Sequence, residues 1–205
     1  MSHLITLLQD INSCTLCAGQ LPLGPRPVVQ AGTSARILII GQAPGSRVHA
    51  SGIPWDDASG KRLRQWLNIA HDVFYNPQQL AIMPMGFCYP GKGKSGDLPP
   101  RPECAPQWHQ ALLQQLPQVS LTLLIGQYAQ QYYLANTDFI RQHRSLTARV
   151  QHWHQAPAGF LPLPHPSPRN QIWLKKNPWF EQQLVPELQT RVASLLAQPP
   201  RLSQE

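Results

Sequence analysis

Charge is scarce in this sequence. Only 13% of its 205 residues are Asp, Glu, Lys or Arg, roughly half the usual share of about 25%. Acidic groups are the scarcer kind, ten against seventeen basic ones, for a formal net charge of +7. A surface with few carboxylates repels phosphates weakly, so it suits a polyanionic partner as well as simple solubility. Long apolar runs are also missing. Nothing approaches the roughly 20 consecutive apolar residues that a spanning helix needs, so no membrane association is expected. Met1-Ser2-His3-Leu4 has no basic segment leading into an apolar stretch, so no secretory signal is read and the chain is expected in the cytoplasm. Cysteine is limited to four residues. In that compartment they are expected as metal ligands or free thiols rather than disulfides.

What is present argues for a folded chain. Hydrophobic residues make up 42% of the sequence, enough for a real core. The 22 prolines, about twice the average frequency, fall between apolar runs as rigid turns. Residues 1–198 read as a single domain and 199–205 as a frayed tail. Helical spacing of apolar residues predicts helices over 2–13, 61–70, 104–116, 127–134 and 177–198. Compact apolar runs predict buried strands at 37–40, 80–85, 119–125 and 160–163. Residues 18–34 and 86–103, rich in Gly and Pro or Lys, read as loops. Strands that alternate with helices imply an α/β fold, a three-layer α/β/α arrangement around a mainly parallel four-stranded sheet. Ligands of such sheets bind beyond the carboxyl ends of the strands. Two unusual strings lie there, Gly41-Gln42-Ala43-Pro44-Gly45 after the first strand and His165-Pro166-Ser167-Pro168-Arg169-Asn170 after the fourth.

Each string has a plain reading and a chemical one. Glycines flanking Gln42 can simply end a strand, or can let a ligand approach the backbone. Trp55, after Pro54, is either a core-edge aromatic or a platform for stacking a base. Asp56 and Asp57 precede Ala58-Ser59-Gly60 and a helix, where either can serve as a cap. His165, framed by two prolines, is held rigidly and can donate a hydrogen bond to charge developing on a leaving group. Cys14 and Cys17 form a CxxC pair, and Cys88 and Cys104 a second pair sixteen positions apart. Such irregular spacing favours a metal over free thiols and is compatible with a four-thiolate iron–sulfur cluster, without choosing the metal. Lys92, Lys94 and Arg101 lie between the later cysteines, while Arg169, Lys175 and Lys176 lie in or after the histidine string. Two basic loops flanking a pocket would clamp phosphates; the alternative is solvated loop cations.

Taken together, the GQAPG turn, the HPSPRN string and the four cysteines make this sequence resemble the uracil-DNA glycosylase superfamily over about residues 10–190. It is most similar to the iron–sulfur classes, UDGa-like and UDGb-like. The resemblance implies a central parallel sheet, a [4Fe–4S] cluster on Cys14, Cys17, Cys88 and Cys104, and hydrolysis of the N-glycosidic bond of a damaged base flipped out of DNA. It implies that Gly41, Gln42 and Ala43 line the base pocket, with Asn170 beside them, and that Trp55 stacks on the base. His165 would stabilise the departing base and Arg169 would reach into the minor groove.

Departures from the pattern sharpen these expectations. UDGa-like proteins carry Glu at the position of Gln42, and the most familiar uracil glycosylases carry Asp at that of Ala43, so the first motif here has no carboxylate. The UDGb-like class instead carries Asp-x-Ser-Gly before the next helix, matched by Asp57-Ala58-Ser59-Gly60. Asp57 is therefore the candidate for orienting water or stabilising the sugar cation, with Asp56 behind it. Pro84 stands where iron–sulfur members often use Asn to read the base edge, which widens the expected substrates from uracil to other deaminated bases. The expected protein is a monomeric, monofunctional DNA glycosylase of base-excision repair, since no lysine is placed like a Schiff-base nucleophile. The alternatives are a catalytically inactive relative that binds DNA, one that traps DNA covalently through His165, and a zinc-stabilised α/β protein with another ligand.

Overall fold

Residues 3–198 are described in a computed structural model of the chain; the tail expected at 199–205 lies outside the described residues. In chain order the elements are α1 (His3–Asn12), β1 (Ile37–Ile40), α2 (Ser46–Ser51), α3 (Ala58–Leu67), α4 (His71–Phe74), β2 (Leu80–Ile82), β3 (Lys92–Gly93), β4 (Gly96–Asp97), α5 (Cys104–Gln114), β5 (Leu121–Ile125), α6 (Gln127–Leu134), α7 (Asp138–Gln142), α8 (Leu146–Gln151), β6 (Phe160–Leu163), α9 (Gln171–Lys176) and α10 (Val185–Ala197). A four-stranded sheet runs in the order β2-β1-β5-β6, and every pairing is parallel.

Strand alternation divides the core between the two faces of the sheet. Ile37, Ile39, Leu121, Leu123, Leu161 and Leu163 point to one face, where they meet Leu63 and Trp66 of α3 and Leu188 and Val192 of α10. Leu38, Ile40, Ala81 and Leu124 point to the other, against Leu4 and Ile11 of α1, Leu112 of α5 and Leu134 of α6. All the strands of this sheet are buried apart from Phe160 at the start of β6, as expected for a parallel sheet covered on both sides. The result is the three-layer α/β/α architecture. Among the described residues no helix is long and apolar enough to cross a membrane.

A buried polar strut fixes the end of the sheet that matters for function. Gln130 of α6, fully buried, donates to the carbonyls of Leu124 (3.1 Å) and Leu163 (2.9 Å), where β5 and β6 terminate. Its amide oxygen accepts from Nε of Arg149 at 2.8 Å. The Arg149 guanidinium also donates to the carbonyls of His143 and Arg144. These neutral acceptors compensate the burial of its charge.

Several element boundaries differ from the sequence expectations, each for a local reason. The second strand stops at Ile82 because Pro84 has no N–H for the ladder. The chain nonetheless stays alongside β1, with Met83 and Met85 donating to the carbonyls of Ile39 and Gly41. The helix expected over 61–70 begins at Ala58, since Asp57 caps it, and stops where Asn68 turns left-handed at φ 51°. The long closing helix opens with a wide i→i+5 turn at Phe180–Leu184 before α10. Pro186 in the first turn of α10 has no N–H to complete an ordinary ladder there. The loop expected at 86–103 carries the β3–β4 hairpin.

Candidate functional site

The strand β1 runs into Gly41, where the absence of a side chain lets an indole approach the backbone. A β-carbon on Gly41 would lie 2.9 Å from Cζ2 of Trp55, so the indole lies directly over the turn. Trp55 itself has φ 57°, a conformation uncommon for a bulky residue and a mark of positions held for a purpose. Its carbonyl accepts from the hydroxyl of Tyr75. The carboxylate of Asp57 follows, and its Oδ1 accepts from the Gly60 N–H at 2.8 Å as the N-cap of α3. One oxygen thus performs the capping role expected of such a residue, and the side chain still borders the cavity next to it.

From the opposite side comes His165, just beyond β6. Its ring meets the indole of Trp55 with centroids 5.5 Å apart and planes tilted by 34°. The loop is braced by Asn170, whose amide donates to the His165 carbonyl at 2.7 Å, and by Arg62, which donates to the Ser167 carbonyl at 3.1 Å. Burial lowers the His165 pKa below its ordinary value, and the charge of Asp57 opposes that shift. The imidazole is therefore neutral near pH 7 and carries a single N–H.

These residues share one cavity of about 380 Å³ at the carboxyl end of the sheet, lined among others by Gly41, Gln42, Ala43, Trp55, Asp57 and His165. A volume of that order suits one small ring ligand. A family model of the uracil DNA glycosylase superfamily matches residues 29–189. The chain belongs to that superfamily. Its members are, in general, DNA glycosylases, hydrolases that act on DNA.

The remaining polar and basic residues expected at the site of this superfamily member fall into four places. Lys92 and Arg169 line the same cavity, with Lys94 exposed at the tip of the hairpin. Arg169 is held inward, Nη1 donating to the Ser95 carbonyl at 3.1 Å. Asn170 borders an adjoining recess that also touches Gln42 and His165. Lys175 sits apart, with Arg62 and Gln182 around a separate surface depression. Arg101 is elsewhere too: it pairs with Glu103 beside the cysteines.

Cys14, Cys17, Cys88 and Cys104 all border one small pocket walled by Leu16, Phe87 and Trp108, and none is in a disulfide. Burial pushes the Cys104 thiol up to about 12, the Phe87 N–H lowers it, and the three other thiols raise it further. The Phe87 N–H points at Cys104 Sγ at 3.3 Å, and Cys17 Sγ donates to Glu103 at 3.8 Å. Among the described residues no group of three or more His, Cys, Asp or Glu is arranged to hold a metal ion. The donor chemistry of the quartet, four unpaired thiols converging from distant segments on an apolar pocket, nonetheless fits a thiolate-bound group.

Two features escaped the sequence reading. Asp97, on β4, also lines the main cavity; its signal was the Gly-Lys-Ser-Gly turn that pairs it across the hairpin with Lys92. Behind Pro84 lies His109, almost fully buried, with Nε2 at 3.1 Å from the Pro84 carbonyl and Nδ1 at 2.7 Å from the Tyr133 hydroxyl. A helical histidine far from any motif gave no sign of that contact.

Proposed function

We infer that this protein is a monofunctional DNA glycosylase of base-excision repair, hydrolysing the bond between deoxyribose and uracil or another deaminated base. The observation that carries the reading is the meeting of Asp57, His165 and Trp55 on one ring-sized cavity in a chain of this superfamily. The everted base stacks on Trp55. As C1′–N breaks, the electron pair leaves with the base, and the neutral His165 donates its N–H to the developing anion. Asp57 stabilises the oxocarbenium-like sugar and orients the water that adds to C1′, the water's proton passing to solvent. Gln42 contributes position rather than charge, since its Nε2 donates to the Leu98 carbonyl at 3.0 Å.

Lys92, Lys94 and Arg169 supply positive charge around the mouth for the phosphates flanking the flipped nucleotide. Cys14, Cys17, Cys88 and Cys104 are the residues that would hold a [4Fe–4S] cluster. Such a group would tie the N-terminal segment to the 88–104 excursion through thiolate bonds.

The test uses anaerobically purified protein and labelled single strands and duplexes carrying uracil, hypoxanthine or xanthine, each reaction split between hot alkali and a denaturing gel. Alkali-dependent cleavage is expected. DNA retention without cleavage would replace the enzyme with a DNA-binding relative, a denaturation-resistant band would indicate covalent capture through His165, and strands cut without alkali would refute monofunctional chemistry.

A further inference from the structure

The carboxylates of the cavity are not equivalent. Asp57 uses Oδ1 to cap α3, whereas the carboxylate of the exposed Asp97 caps no helix and faces the charges of Arg169 and Lys92. Asp97 is nevertheless held against the site. Its Oδ2 lies 3.4 Å from where a β-carbon on Gly45 would sit, so the carboxylate rests on the bare backbone at the end of the GQAPG turn. The hairpin bearing it is fastened on both flanks, by Gln42 to the Leu98 carbonyl and by Arg169 to the Ser95 carbonyl. Burial raises the Asp97 pKa, Arg169 lowers it, Asp57 raises it and Lys92 lowers it, so its charge is felt across the pocket.

Two other polar groups at the cavity wall already have partners within the protein. The Pro84 carbonyl is taken up by His109, and the amide N–H of Gln42 by Leu98. An ionised carboxylate only accepts hydrogen bonds, so it selects a base that offers an N–H.

Resting on the glycosylase reading above, we propose that Asp97 is a specificity-determining residue whose carboxylate accepts the ring N–H of the everted base and favours hypoxanthine over uracil. In uracil the N3–H stands between two carbonyls, so whichever way the carboxylate approaches, its second oxygen faces another acceptor. In hypoxanthine the N1–H has a carbonyl on one side only and a C–H on the other, and the second oxygen can lie over the C–H without repulsion. An amide in place of the carboxylate pairs a donor with the carbonyl and an acceptor with the N–H, and suits both bases.

The experiment measures single-turnover excision of hypoxanthine and uracil from otherwise identical duplexes by the full chain and by Asp97→Asn and Asp97→Ser, with circular dichroism confirming that each variant is folded. The hypoxanthine-to-uracil rate ratio is expected to fall by about fivefold or more in Asp97→Asn, the order of discrimination one base-edge contact supplies, and to fall in Asp97→Ser as well. Because base size is common to all three proteins, the change in ratio isolates the edge contact. A smaller fall or a rise overturns the proposal, as does wild-type protein that excises uracil and no hypoxanthine. Wild-type protein that excises neither base, nor xanthine, overturns the glycosylase reading itself, a result distinct from an active enzyme with an unchanged ratio.

Discussion

The carbonyl oxygen of Trp55 lies 1.8 Å from the point a β-carbon on Gly60 would occupy. The obstacle is backbone, so no rotamer change relieves it, and Trp55 already holds an unusual φ of 57°. Gly60→Ala is therefore expected to lower stability by at least about 2 kcal/mol and to abolish excision, because the loop must move. Gly41→Ala meets only the rim of the Trp55 indole, at 2.9 Å. It is expected to leave the urea midpoint nearly unchanged while weakening base stacking and slowing excision. Equal stability loss in both variants would show that the two glycines do not differ in this way.

Asp57 caps α3, and substitution can separate that role from the catalytic one proposed for it. Asn caps helices as well as Asp does, whereas Ala costs about 1 kcal/mol at such a position. Asp57→Asn is thus expected to keep the melting temperature and lose about a hundredfold or more in single-turnover rate. Asp57→Ala should lose both activity and stability. The missing charge should also lower the His165 pKa further, since Asp57 raises it; imidazole NMR titration of Asp57→Asn reads that shift directly. A variant of unchanged rate would remove Asp57 from the chemistry.

How much of this was legible in the sequence depended on how local the cause was. Ile37–Ile40 is a run of four apolar residues closed by Gly41, and it forms β1 with those bounds; Gln127–Leu134 likewise forms α6 as expected. Gly41, Gln42 and His165 could be placed at one edge because motif order at strand ends determines it in a parallel sheet, whereas Trp55 and Asp57 were joined to them by the resemblance to the superfamily. Short helices such as α2, α7 and α8 were missed, because segments of five or six residues carry too little periodicity to register. The destinations of Arg101, Asp97 and His109 were hidden for a different reason. Asp97 and His109 are placed by tertiary partners (Gly45 and the Pro84 carbonyl) that no local pattern encodes, and Arg101 follows Glu103, two residues on, to the cysteine pocket.

The burial of His109 has a consequence for acid stability. Its pKa is lowered from 6.5 to about 4, chiefly by burial, with the Pro84 carbonyl pulling the other way. In the unfolded chain the imidazole takes up a proton as pH falls below 6.5, while the folded protein resists protonation until about pH 4. The folded state therefore keeps its full advantage above the unfolded value and loses it as pH falls through that window, by about 3 kcal/mol in total. Urea unfolding at several pH values should show this loss in the wild type and a smaller one in His109→Gln, which retains an amide N–H for Pro84. Parallel curves for the two proteins would mean that His109 titrates normally.

The thiol quartet makes the last prediction independent of catalysis. Four cysteines border one apolar pocket and none is in a disulfide; Cys104 is buried and the other three are half-buried. If they hold an iron–sulfur cluster, the anaerobically purified protein is brown, with about four irons per chain. Cys104→Ser and Cys14→Ser should each bleach the visible absorbance and lower the melting temperature, because either loss releases the N-terminal segment from the 88–104 excursion. Native-state alkylation gives the complementary readout. The thiols should resist iodoacetamide until oxidant or chelator strips the metal, after which the half-buried pair Cys14 and Cys17 should react before the buried Cys104. A colourless preparation with one zinc per chain would assign the quartet to zinc, and a metal-free one with alkylatable cysteines would leave it as free thiols.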